Sequence, residues 1–340
     1  MDAYNISQIL AEIELELIRN LANSVKSDLF TVGKLKALRE FQQRNKKILS
    51  KYKISKELND ALNHAYNESG MRVHREFQKV KKRKDLVGFF HVDDRKLNAL
   101  IKASRNDYTK VENAILRMMD DVYRQTMFKT QVELATNTIS MNEAIDKSTK
   151  NFLEQGINCV QYSDGRRVNI ATWAEMYLRT SMRRAGMMGE GASRAEWGIH
   201  TVLVSQYGAC SPTCLPWQGK VYIDDVYSGG KSDGKYPLIS TAISAGLFHP
   251  NCRHRMTTFF EGINEIPEPM PDTREVYKHE QQQRYNERQI RKYKRLEAGS
   301  VDEKNKQYYD RKVKEWQNIQ RDLMKKHPKE LRRDYSREQI

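Results

Sequence analysis

No proline occurs between residues 1 and 208 of this 340-residue chain; all 8 of its prolines lie beyond. A proline inside a helix removes a hydrogen bond and clashes with the preceding turn. So long a stretch without one lets the chain run in long helices, and the apolar pattern is helical. Ile6, Ile9, Leu10, Ile13, Leu17 and Leu21 recur at three-to-four spacing, with Glu12, Glu14, Glu16 and Arg19 on the other face. Leu58, Leu62, Ala65 and Tyr66 open a second stripe that runs toward Phe77 and Val80. Val111, Ile115, Met118, Met119 and Val122 form a third. Ser140 and Glu143 make a capping box, which predicts a helix carrying Ile145, Phe152 and Leu153. Stripes of this kind predict helix–helix packing.

Near Ile157 the punctuation changes. Asp164-Gly165 is a tight-turn signal. Thr172 and Glu175 read as a second capping box, opening a helix through Met176, Leu178, Met182 and Ala185 that Gly186, Gly189 and Gly191 end. β-branched and apolar runs predict strands at 200–205, 220–223 and 256–260, with a short helix at 238–246. Ile266-Pro267-Glu268-Pro269-Met270-Pro271 is a hinge. The stretch from Pro271 on is helix-forming and poor in aliphatics, with 20 Lys and Arg against 13 acids, a local excess of 7. A helix that polar buries little area alone, so it must lie on a partner or nucleic acid, or stay mobile. The expected fold class is α+β, mostly α. It has a long helical region over 1–155, a small α+β domain over 156–264, and a proline hinge with a basic helical tail over 265–340.

The hydrophobic fraction is 39% and the charged fraction 30%, which suits folded cores joined to charged helical segments. No apolar run is long enough for a membrane-spanning helix. The start, Met1-Asp2-Ala3-Tyr4-Asn5, lacks the basic region of a secretory signal. A net charge of +15 points to a polyanionic neighbour such as nucleic acid. Lys81, Lys82, Arg83 and Lys84, and Arg291, Lys292, Lys294 and Arg295 in the tail, are the candidate contacts.

Three of the 4 cysteines gather with histidines: Cys210-Ser211-Pro212-Thr213-Cys214, then His249-Pro250-Asn251-Cys252-Arg253-His254. Two short clusters of thiols and imidazoles separated by a spacer suit structural zinc, which takes four such donors in a tetrahedron. A proline in each cluster helps the backbone turn its donors inward. Cys210, Cys214, His249, Cys252 and His254 compete for four places. The first set is Cys210, Cys214, His249 and Cys252, with His254 replacing His249 or supporting it from outside. Cys159 reads as a packed thiol, and His64, His74, His91, His279 and His327 as scattered and solvated. No G-x-S-x-G, P-loop, H-E-x-x-H or kinase motif is present.

These motifs carry a resemblance. Asp164-Gly165-Arg166-Arg167, Trp173-Ala174-Glu175-Met176 with Arg179-Thr180, and Val204-Ser205 come first. The run from Cys210 to Tyr222 and the stretch Gly246-Leu247-Phe248-His249-Pro250-Asn251-Cys252-Arg253-His254 follow in order. Residues 164–262 resemble the phage minor capsid protein 2 family, allied to the Mu F-like, or head morphogenesis, minor head proteins of tailed bacteriophages. The resemblance implies a virion component inside the head near the portal vertex, present in the host cytoplasm during assembly. It implies a role in head assembly and in DNA packaging or ejection. The partners implied are the portal protein, a major capsid or scaffolding protein, and packaged double-stranded DNA. It also suggests metal at the Cys/His positions. The expectation is a structural protein and not an enzyme. The alternative is a metal-dependent nuclease, or another DNA-acting enzyme, delivered with the genome.

Overall fold

Our computed structural model describes residues 3–52, 54–81, 94–162, 164–250, 252–270 and 274–340. The described residues are 67% helical, with one two-stranded and one three-stranded sheet among them, so the fold is mostly α with a small α+β part. In order the elements are α1 (Ala3–Asp28), α2 (Lys34–Lys51), α3 (Ile54–Lys81), α4 (Asp94–Thr136), α5 (Met141–Gln155), β1 (Val160–Gln161) and β2 (Arg167–Val168). Then come α6 (Ile170–Trp197), β3 (Thr201–Val204), β4 (Val221–Ile223), α7 (Ile239–Ser244), β5 (Met256–Thr258), α8 (Arg274–Gly299), α9 (Glu303–Lys326) and a final 3-10 turn (Tyr335–Glu338). The proline-free stretch yields the long helices expected of it, α4 reaching 43 residues.

The chain divides into two compact units, each assembled from separated segments that interleave the three parts drawn from composition. The helical unit comprises Tyr4–Ile54, Asn106–Glu175 and His279–Ile340. In it the α1 stripe buries Ile13, Leu17, Ile18 and Leu21. The capping box at the start of α5 is formed: the Ser140 hydroxyl accepts from the Glu143 N–H at 3.2 Å, and the Glu143 carboxylate from the Ser140 N–H at 2.8 Å. β1 and β2 pair as the expected hairpin, with Gly165 at φ +83° in the turn, a value its missing Cβ permits.

The tail belongs to this unit. Ile18, Leu153, Leu296 and Tyr309 form one apolar cluster that joins α1, α5, α8 and α9. The tail also buries Ile290, Val313 and Leu331, and buried polar pairs stand beside them. Asn286 and Gln320, both without exposed surface, hydrogen-bond at 3.0 Å between α8 and α9. The Asp146 carboxylate accepts from the Val301 N–H at 2.7 Å, the Asp302 N–H at 3.2 Å and the Asn305 amide at 2.9 Å, closing the α8–α9 turn over α5. Burial pushes the Asp146 carboxyl up, against the pull of these bonds. So the partner that these polar helices need is their own unit, reached through hydrogen bonds as well as through apolar contacts.

The second unit comprises Met1–Ala3, Ser55–Arg105 and Met176–Lys278. Its sheet has the antiparallel order β4-β3-β5, with Val202 opposite both Tyr222 and Thr258. β3 alternates as a half-buried strand should, burying Val202 and Val204. These two, with Met187, Tyr222, Ile239, Ala242, Leu247 and Met256, make the core into which Cys214 and Cys252 are packed.

The structure changes both predicted ends of α6. It starts at Ile170, where the Asn169 side chain accepts from the Ala171 N–H at 3.0 Å, so Thr172 already lies inside the helix. It runs through Gly186, Gly189 and Gly191 to Trp197. Those three glycines are sites of close approach: a Cβ would stand 2.9 Å from the Ser69 hydroxyl, 2.1 Å from the Tyr66 carbonyl oxygen and 2.5 Å from the Tyr227 backbone, respectively. The helix stops at Gly198, at φ +63°, where the Ile199 N–H reaches back to the Arg194 carbonyl at 3.1 Å.

Candidate metal centre

Two proline turns build the site. Ser211-Pro212-Thr213-Cys214 closes through the Cys214 N–H on the Ser211 carbonyl at 3.0 Å. The turn from His249 to Cys252 closes the same way at 2.9 Å, with Pro250 in the same second position. Proline presets the backbone angle this position requires. Each turn therefore delivers a cysteine at its fourth residue. The first residues of the two turns also meet, the Ser211 hydroxyl lying 3.0 Å from His249 Nε2.

Cys214, His249 and Cys252 offer donor atoms that all lie within 4.8 Å of one another. The Cys214 and Cys252 sulfurs are 3.6 Å apart. That is far beyond a disulfide bond of ~2.05 Å. It is close to the ~3.8 Å edge of a tetrahedron whose thiolates stand ~2.3 Å from zinc. His254 is buried, with Nδ1 at 3.3 Å from the Cys252 sulfur and Nε2 at 2.8 Å from the Gln218 side-chain oxygen. An imidazole fixed through its far nitrogen is held as a metal ligand is held. Cys214, His249 and Cys252 are donors of the kind zinc takes, and His254 stands beside Cys252 outside that converging group. Cys210 stands outside the converging group and donates its thiol to the Ser211 carbonyl at 3.1 Å.

The two sulfurs are within hydrogen-bonding distance of each other. Cys252 is drawn well below the usual thiol range by the Cys214 hydrogen bond, with His254 adding to the pull against burial. Cys214 is pushed up by the same bond and by burial. Thiolate character at Cys252 is what a metal binds. Cys159, in the helical unit, is instead raised to about 11 by burial, though it is only partly buried.

The nucleic-acid candidates fare differently. Lys82, Arg83 and Lys84 lie outside the described residues, as does the side chain of Lys81 at the end of α3. The four tail residues are engaged within the helical unit. Arg291 donates to the Arg337 carbonyl at 2.5 Å, and burial pushes its guanidinium pKa down. Lys292 pairs with Glu154 at 3.2 Å, and Lys294 donates to Gln339 at 3.1 Å. Arg295 donates to the Leu153 and Glu154 carbonyls, both at 3.0 Å, capping α5 as a cation at a helix C-terminus does.

Two further expectations are corrected. His74 is buried and accepts from the Trp197 indole at 3.4 Å. His279 and His327 meet each other and Glu330. No local spacing announces either arrangement, because the partners come from different helices.

The class so defined is a long-helix protein with a small sheet unit and a cysteine–histidine knuckle. The chain matches the family Phage minor capsid protein 2 over residues 3–325 and belongs to it. It is 24% identical over 180 residues to a protein named "Structural protein" from Lactococcus phage LL-H, covering 51% of this chain and 48% of that one. The alignment thus spans about half the length of that relative. No solved structure matches significantly. The chain is a phage structural protein, and its place is the virion.

Proposed function

We propose that this minor capsid protein works inside the head near the portal vertex, assists head assembly and the packaging or ejection of DNA, and touches packaged double-stranded DNA through phosphates without reading bases. One surface of the helical unit carries this reading. Phe30, Val32 and Leu35, around the turn from α1 to α2, are 76%, 100% and 74% exposed. Gln131 of α4 donates to the Leu29 carbonyl at 3.2 Å and accepts from Lys34 at 3.5 Å. Phe128 and Val132, also exposed, lie on the same face of α4 as Gln131. Exposed Lys34, Lys36 and Lys129 edge this apolar patch. Contiguous exposed apolar area marks an interaction site. A basic rim fits an acid-rimmed apolar surface on another virion protein and repels a second copy of this chain. The portal protein is the partner we assign; a major capsid or scaffolding subunit is the other outcome.

α2 continues the surface. It holds seven Lys and Arg against one Glu, a net of +6 in 18 residues. Arg39, Lys46 and Lys47 are exposed on one face and hold no ion pair among the described residues. That face, more than the tail, suits phosphates. The logarithm of DNA affinity is expected to fall with the logarithm of salt concentration by about 0.9 per phosphate engaged. Replacing Arg39, Lys46 and Lys47 together by Gln is expected to flatten the slope by roughly 2–3. An unchanged slope refutes the role of α2, and affinity indifferent to salt refutes DNA contact. Phage carrying Phe30→Ser with Leu35→Ser are expected to package fewer copies of the chain, counted per purified head; equal counts refute the patch.

Zinc at Cys214, His249, Cys252 and His254 is the structural staple of this reading, supported by the two opposed turns and the sulfur spacing. Protein purified without chelators is expected to carry one zinc at this centre by elemental analysis, lost in Cys252→Ser. Metal-free wild type refutes it. Plasmid DNA incubated with the protein and Mg²⁺, Mn²⁺ or Zn²⁺ is expected to stay intact.

A further inference from the structure

We propose that His279, His327 and Glu330 form a second metal site, an exchangeable one that binds zinc-type divalent ions. It is independent of the cysteine centre. The residues come from opposite ends of the chain's last helical hairpin. His279 lies in the second turn of α8, His327 is the C-cap of α9, and Glu330 follows one turn later. The backbone after α9 curls back to make this possible, the Glu330 N–H bonding the His327 carbonyl at 3.2 Å and the Leu331 N–H the same oxygen at 3.0 Å.

The result is one carboxylate oxygen facing two imidazoles. Glu330 Oε2 is 2.7 Å from His279 Nδ1 and 3.5 Å from His327 Nδ1. The rings lie one against the other, centroids 3.7 Å apart and planes 33° from parallel, which brings both Nδ1 atoms to the same side. Ligands ~2.0–2.2 Å from zinc are separated by ~3.3 Å along the edges of a tetrahedron. The two nitrogen–oxygen distances bracket that value. A hydrogen bond needs only one of these imidazoles; the second nitrogen turned on the same oxygen is what an ion uses.

The chemistry of exchange is simple. Without metal, a ring N–H at Nδ1 donates to Glu330. An ion takes the place of that proton, and a neutral imidazole carries its hydrogen on Nε2 instead, so no co-reactant is needed. Two imidazoles and a carboxylate without sulfur select zinc, cobalt and nickel ions over magnesium or calcium. The side chains of His279, His327 and Glu330 keep 29%, 25% and 34% of their surface, so the remaining coordination positions open to water. The site differs in this from the buried cysteine centre, and its metal is expected to exchange. Bound there, the ion clips the free end of the α8–α9 hairpin, the end away from the turn that Asp146 holds.

The test is a cobalt titration of the metal-free full-length protein. Cobalt at the cysteine centre carries thiolate-to-metal absorption, whereas cobalt on His279, His327 and Glu330 does not. Wild type is expected to bind one equivalent without thiolate absorption. His327→Ala and Glu330→Gln are expected to weaken that equivalent about tenfold or more while leaving any thiolate absorption untouched. Thermal unfolding of the metal-free variants shows whether they fold, and His279→Ala replaces either that does not. The proposal is overturned if wild type binds no cobalt beyond the thiolate-bearing equivalent, or if the folded variants bind as wild type does. Failure of the cysteine centre is separately visible as missing thiolate absorption.

Discussion

Arg194 has no exposed surface, and its guanidinium meets Asp224 at 2.8 Å and Glu190 at 3.6 Å. Asp224 is equally buried, and it also accepts from the Tyr227 N–H at 2.8 Å. The pair locks α6 to the segment after β4. Removing one partner of a buried ion pair strands the other charge, at a cost of about 3–5 kcal/mol. Asp224→Ala is therefore expected to lower the urea midpoint by that much stability, with Asp224→Asn intermediate because it keeps an acceptor for Tyr227. The 30 residues between Arg194 and Asp224 explain why the pair is invisible in the sequence. The cysteines were more legible: thiols beside prolines in short clusters say that the backbone turns there. What spacing does not say is which donors converge. Cys210 is one short loop from Cys214, yet its thiol turns to the Ser211 carbonyl.

Elements were read well wherever the signal was local. The Ser140 cap, the hairpin at Gly165, and strands β3, β4 and β5 answer to short-range chemistry and stand where it put them. The glycines of α6 did not, because a glycine has two uses that look alike in sequence. Gly198 ends the helix through its positive φ, whereas Gly189 admits the Tyr66 carbonyl against the helix surface. Only the packing partner separates the two. Gly189→Ala places a methyl against backbone that cannot rotate aside, so α6 and α3 must part. A loss of about 1–3 kcal/mol is expected in chemical unfolding. A stabilisation, which helix propensity alone predicts, counts against that contact.

Across the whole molecule, the tail drawn from composition as a basic appendage is structural. Its charges cap α5, pair with Glu154 and hold the last turn, while Leu296 and Tyr309 close the cluster on Ile18 and Leu153. Polar helices gave no apolar stripe from which to read this, since so much of their attachment runs through Asp146, Asn286 and Gln320. A chain ending at residue 271 is expected to lose more helix by circular dichroism than the deleted segments contain, because Asp146 and the α1 stripe lose their partners. Loss of only the deleted helices counts against this arrangement. Of the net charge of +15, the share carried by α2 is +6, whereas the tail's basic residues named above are engaged within the helical unit.

The Ile18–Leu296 contact has a consequence for synthesis. At about 5–20 residues per second, the ribosome makes Leu296 roughly fifteen seconds to a minute after Ile18. Throughout that interval α1 presents an apolar face whose final cover does not yet exist. The cluster on Ile18 therefore closes late, over a loop of nearly the whole chain, and cannot be complete until α8 and α9 emerge.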